Sequence, residues 1–115
     1  MKSRVVMLSD DPELALLRHY ILQSAGYDVI SPRNEKEAEK VIQEHDMDIA
    51  VLCHRLSGAS ARQLIRCFRE NNPNGKIVAM VHVYGEWPEI EADRYIVGTD
   101  GPEALLHVLT EMQQA

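Results

Sequence analysis

Short, wholly apolar runs alternate along this chain with longer stretches whose apolar positions recur every three or four residues. Val5-Val6-Met7-Leu8 is a continuous apolar run and predicts a buried strand from Arg4 to Ser9. Asp11 as N-cap and Pro12 at the first helical position open a helix. Leu14, Leu17, Ile21 and Ala25 are expected to line its buried face, and Gly26 to stop it. Tyr27 to Ser31 reads as a short second strand. Asn34 caps a second helix, with Glu37 in the capping-box position and Ala38, Val41 and Ile42 as the inward stripe. A third strand, again apolar throughout, runs from Asp48 to Cys53. Ala61, Leu64, Ile65 and Phe68 mark a third helix that ends at Asn71-Asn72-Pro73-Asn74-Gly75. Lys76 to Val83 is a fourth strand and Arg94 to Val97 a fifth. Pro102 to Gln113 is a last helix, with Leu105, Val108, Leu109 and Met112 facing inward.

Strands that alternate with helices, and that are apolar on both faces, imply a parallel sheet covered on both sides. Right-handed crossovers leave few ways to connect them. The natural arrangement is an α/β, doubly wound, flavodoxin-like sheet of five parallel strands in the order 2-1-3-4-5. Its site is expected at the carboxyl ends of the strands. Residues 1–115 form a single domain, with no internal repeat, linker or low-complexity tract. One connection is too short. Only the ten residues Tyr84 to Asp93 separate the fourth and fifth strands, whereas a crossover with its helix takes about 10–12 or more. Gly85 and Pro88 further oppose a helix there. A loop is expected, with the fourth crossover helix shortened or missing.

Composition narrows the function. The chain has 12 basic and 18 acidic residues, a net charge of −6, so its surface repels phosphate backbones and nucleic acid is excluded as a partner. No apolar run approaches the roughly 18 residues of a membrane span. Met1-Lys2-Ser3-Arg4 leads into no cleavage pattern, which makes the cytoplasm the expected compartment. Cys53 and Cys67 stand alone, outside any CxxC pattern. There is no GxGxxG, P-loop, GxSxG or HExxH motif, and no enzymatic activity is expected.

Two pieces of sequence are more specific. One is Ser9-Asp10-Asp11-Pro12, an acidic pair between the first strand and a helix begun by proline. The other is Ile49-Ala50-Val51-Leu52-Cys53-His54-Arg55-Leu56-Ser57-Gly58, an apolar strand that ends in a polar residue and a Ser-Gly turn. Together they resemble the response-regulator receiver domain of two-component (phosphorelay) signalling, and the resemblance runs from about Arg4 to Met112. In that family the acidic pair holds Mg²⁺, a role that falls on Asp10 and Asp11. The backbone carbonyl of Arg55 would complete the metal set. The aspartate that takes the phosphoryl group falls on Cys53. The hydroxyl residue ending the fourth strand falls on Val81, followed by His82 where a small residue is usual. The switch aromatic of the fifth strand is kept as Tyr95, and the lysine after it falls on Gly98.

The resemblance therefore implies a degenerate, or pseudo-, receiver. Aspartyl phosphorylation needs a carboxylate nucleophile, a divalent cation on hard oxygen ligands, and a lysine and hydroxyl to clamp the incoming oxygens. Cys53, Val81 and Gly98 remove the nucleophile, the hydroxyl and the fixed cation. With two carboxylates and one carbonyl remaining, Mg²⁺ is expected to bind weakly if at all, and no other cofactor is expected. Each survivor also has a plainer role: Asp10 and Asp11 as helix cap and dipole partners, Tyr95 as a half-buried edge aromatic, Cys53 as a small buried hydrophobe.

The expected function is a phosphorylation-independent receiver that signals through protein–protein interaction, with a histidine kinase or other signalling protein as partner, or a second copy of itself. Tyr84 and Trp87 in the shortened connection, with Tyr95, are the candidate interface. One alternative is a redox- or metal-responsive sensor centred on Cys53, with His54 and His82 as further ligands beside Asp10 and Asp11. Another is a true phosphoacceptor that uses an unexpected site.

Overall fold

The structure is a computed structural model, and it describes residues 3–9, 11–52, 58–81, 92–97 and 102–114. Five parallel strands form one sheet in the order β2-β1-β3-β4-β5. They are β1 (Arg4–Leu8), β2 (Asp28–Ile30), β3 (Ile49–Leu52), β4 (Lys76–Val81) and β5 (Arg94–Val97). Helices α1 (Pro12–Ser24), α2 (Glu35–Glu44), α3 (Gly58–Asn71) and α4 (Pro102–Gln114) cover the two faces. This is the expected architecture and strand order. The described residues hold no helix between β4 and β5, and the shortened connection, residues 82–91, lies outside them.

The continuous apolar strands arise because successive side chains point to opposite faces and both faces are buried. Val5 and Met7 of β1 join Val51, Val78, Met80, Ile96, Leu105 and Leu109 in one core. Val6 and Leu8 join Ala50, Leu52, Leu64, Phe68 and Ile77 in the other. The predicted stripes of α2 and α3 face the second core: Ala38, Ile42, Ala61, Leu64, Ile65 and Phe68 are all buried. In α4, Leu105, Val108 and Leu109 are buried, with Met112 packed against them.

The face of α1 is different from the one expected. Leu17 is 52% exposed and Ala25 is exposed, whereas the buried positions are Arg18 and Leu22. The physical reason is visible in the sequence. Leu14-Ala15-Leu16-Leu17 and Ile21-Leu22 put apolar residues all round the helix, so periodicity alone does not choose a face.

The helix ends follow local chemistry. Gly26 adopts φ +98°, and its N–H donates to Gln23 O while that of Tyr27 donates to Leu22 O. This paired pattern is a Schellman stop, for which glycine is the favoured residue. At α2, the Asn34 side chain accepts from Glu37 N at 2.9 Å, and Glu37 reaches back to Arg33 N at 2.8 Å. The capping box thus closes one residue earlier than its usual form. At the amino edge of the sheet, Asp48 accepts from Arg4 N at 2.8 Å and Asp93 accepts from Ile77 N at 2.7 Å. These carboxylates satisfy strand amides that have no partner in the ladder.

Candidate functional site

The carboxyl edge of the sheet is where the sequence places the chemistry. There Leu8 of β1 pairs with Leu52 of β3, and Leu52 with Ala79 of β4. Val81 of β4 pairs with Val97 of β5. The chain leaves β1 through Ser9, which is 7% exposed. Its hydroxyl accepts from Asp11 N at 3.2 Å and contacts Asp11 O at 3.4 Å, so it pins the turn into α1.

Asp11 is the helix cap. Its Oδ1 accepts from Glu13 N at 3.1 Å and Leu14 N at 3.2 Å. The capping role is therefore realised, while Oδ2 has no hydrogen bond among the described residues. Asp11 is the member of the acidic pair that the structure describes. Asp10, Cys53, His54 and the carbonyl of Arg55 lie outside the described residues, as do His82, Tyr84, Trp87 and Gly98. Among the described residues no group of three His, Cys, Asp or Glu could hold a metal ion.

Tyr95 is half-buried beside Ala79 in the β4–β5 ladder. Its hydroxyl accepts from Ala92 N at 3.2 Å, which directs the ring's polar end toward the start of β5. Tyr95→Phe is expected to cost about 0.5–1 kcal/mol, the worth of one part-buried hydrogen bond. Chemical denaturation checks this; an unchanged midpoint would show that the Ala92 amide turns to water instead.

On the neighbouring face, Arg94 of β5 bonds Glu111 of α4 at 2.7 Å, and His107 bonds the other carboxylate oxygen at 2.7 Å. The Arg94 hydrogen bond, with the charges of Arg94 and His107 behind it, holds the Glu111 carboxyl below its ordinary range. This bridge ties β5 to α4. Cys67 is half-buried in α3. Burial, then the charges of Glu39 and Glu70, push its thiol up, so it is not a primed nucleophile.

Sequence reasoning gave Ser9 no role of its own, naming it only as the end of a strand and the first residue of the Ser9-Asp10-Asp11-Pro12 motif. It also missed the Asp93 carboxylate, which lies 3.8 Å from Arg69 as well as bonding Ile77 N. A small hydroxyl residue two before an N-cap, and an acid directly before a strand, are the signals that could have found them.

Comparison with known proteins converges on this architecture. No protein-family model matches the chain. The response regulator receiver domain protein from Methanospirillum hungatei superposes with a TM-score of 0.84 at 20% identity, over 97% of this chain and 94% of that one. The chain has the fold of a response-regulator receiver domain. The receiver resemblance extends to sequence as well: 80 residues are 34% identical to the transcriptional regulatory protein PhoP of Escherichia coli. That match covers 67% of this chain and 34% of PhoP, so the receiver-like chain spans about a third of the length of this curated relative. The response regulator TrrA of Thermotoga maritima, solved in complex with the histidine kinase ThkA, has a TM-score of 0.78 at 23% identity, over 96% of this chain and 97% of that one. No helix among the described residues is long and apolar enough to cross a membrane.

Proposed function

We propose that this receiver is degenerate, and that it relays a signal in the cytoplasm by protein–protein contact without phosphoryl transfer or any other catalysed step. The observation that carries this reading is the residue after β3. β3 is the central strand, its last residue Leu52 stands in register with β1 and β4, and the next residue in the chain is Cys53. A thiol in that place offers no carboxylate to be phosphorylated. Neither Val81 nor the following His82 carries a hydroxyl, and Gly98 carries no cation, so the charge of a bound phosphoryl group would go unclamped. Asp10, Asp11 and the Arg55 carbonyl would hold Mg²⁺ only weakly.

The partner class is a signalling protein of the histidine-kinase kind, and TrrA in complex with ThkA supports it by likeness of fold. A homodimer through Tyr84, Trp87 and Tyr95 is the second arrangement of the same function. Sedimentation of the wild-type chain and of Trp87→Ala separates the two arrangements.

The test is incubation with acetyl phosphate and Mg²⁺ followed by intact mass. No phosphoryl adduct is expected, and a hydroxylamine-labile adduct would overturn the reading. A thiol-reactivity assay accompanies it. Cys53 is expected to react more slowly than a free cysteine, because the receiver resemblance places the carboxylates of Asp10 and Asp11 beside that position, and they would oppose the thiolate. A Cys53 faster than free cysteine would put thiol-centred sensing in its place.

A further inference from the structure

A groove of about 630 Å³ runs along the β2 side of α1. Ala15, Leu16 and His19 of α1 form one wall, and Ser31, Pro32 and Arg33, leading from β2 into α2, form the other. The volume is that of a small-molecule site, which is commonly some 300–1,000 Å³. It is apolar at Ala15, Leu16 and Pro32, and Leu16 is left 59% exposed.

Its polar groups share one character. His19 Nδ1 and Ser31 Oγ are 2.8 Å apart, a contact that spans the groove and fixes the imidazole in place. The other ring nitrogen, Nε2, has no partner among the described residues, and the Arg33 guanidinium makes no ion pair there. The backbone amide of Arg33 donates to the Glu37 carboxylate at 2.8 Å. No carboxylate lines the groove among the described residues, although the chain as a whole carries −6. With the Ser31 hydroxyl donating to Nδ1, the free Nε2–H of His19 is a donor. That donor and the Arg33 cation over apolar walls, on an otherwise acidic protein, complement an anion with an apolar body.

We propose that this groove binds a small organic anion: an apolar ring or short chain packed on Ala15, Leu16 and Pro32, with a carboxylate or phosphate head on Arg33 and the His19 edge. The groove also takes in Ser9 and Pro12, which flank the acidic pair, so it borders that pocket; the proposal does not depend on the pseudo-receiver reading. A concave cleft of this size suits a small molecule better than a protein, whose interface buries about 800 Å² on each partner.

The experiment is an NMR titration of the full ¹⁵N-labelled chain with benzoate, phenyl phosphate and, as the uncharged control, benzyl alcohol. Saturable shifts are expected at the amides of Ala15, Leu16, His19, Ser31 and Arg33. The tighter of the two anions identifies the head group. Benzyl alcohol is expected to bind about tenfold more weakly, and Arg33→Gln to weaken both anions by about tenfold, as loss of one charge-assisted contact does. Arg33 is exposed, so this variant keeps the fold, and His19→Gln provides a second test of the same head-group contact. Shifts that fail to saturate, shifts scattered over the surface, equal binding of benzyl alcohol, or indifference to both substitutions would each overturn the proposal.

Discussion

Phe68→Ala is expected to destabilise this domain by about 3–5 kcal/mol, the range for removing a fully buried aromatic. Phe68 is 1% exposed and belongs to the core beneath α2 and α3. It also borders a small apolar void of about 10 Å³, lined by Leu64, Ile77 and neighbours from β1 and β3. Truncation would enlarge that void, and surrounding residues that already leave a gap are poorly placed to collapse into it. Against a total stability of about 5–15 kcal/mol for a domain of this kind, the loss is large. A coupled effect falls on Gly75. A methyl group there would lie 2.6 Å from two ring atoms of Phe68 and 3.2 Å from Asn72 O. Gly75→Ala is therefore expected to cost about 1–3 kcal/mol by overpacking. In a Phe68→Leu background the same change should cost appreciably less. Urea denaturation of the four chains gives the coupling directly. Additive costs would show that the turn, and not the ring, demands glycine.

What the sequence makes legible here is set by how many physical signals agree at each place. In β1, β3 and β4 the apolar run, the strand length and the burial on both faces say the same thing, and their strand order follows from handedness. Asp11 and Pro12, or Asn34 and Glu37, state helix starts in the local chemistry of the backbone, and both caps form. In α1 the signals conflict. Six apolar side chains surround one helix, and the choice of Leu22 over Leu17 as a buried position comes from packing against the sheet, a tertiary fact that periodicity does not contain. Ser9 and Asp93 were opaque for a related reason. Each satisfies a backbone amide whose need is created by the ladder or the turn, so its role exists only after the fold does.

The carboxyl edge combines both situations. A motif reading assigned Asp11 to a metal pocket, and its plainer reading as a cap is the one its hydrogen bonds realise. The cap uses Oδ1, so it does not by itself exclude a cation on the same carboxylate. The two roles can be separated by substitution, because capping needs an acceptor and cation binding needs a charge.

Asp11→Ala is expected to destabilise the domain by about 1–2 kcal/mol, since the amides of Glu13 and Leu14 both lose their acceptor at the first turn of α1. Asp11→Asn keeps an acceptor of nearly equal capping strength and loses only the charge facing the helix dipole, so its cost should be about 0.3–1 kcal/mol. The order Ala below Asn below wild type, read from urea midpoints at neutral pH, is the signature of a cap. Mg²⁺ then tests the second role on the same three chains. If the residual oxygen set binds Mg²⁺ with a Kd of about 10 mM or weaker, adding about 10 mM Mg²⁺ raises wild-type stability by no more than about 0.4 kcal/mol. Asp11→Asn should abolish even that increment while keeping most of the fold's stability. A strong Mg²⁺-dependent stabilisation of the wild type, lost in Asp11→Asn, would show that the carboxylate pair still serves a resident cation. Equal stability of Asp11→Ala and wild type would show that the cap contributes nothing.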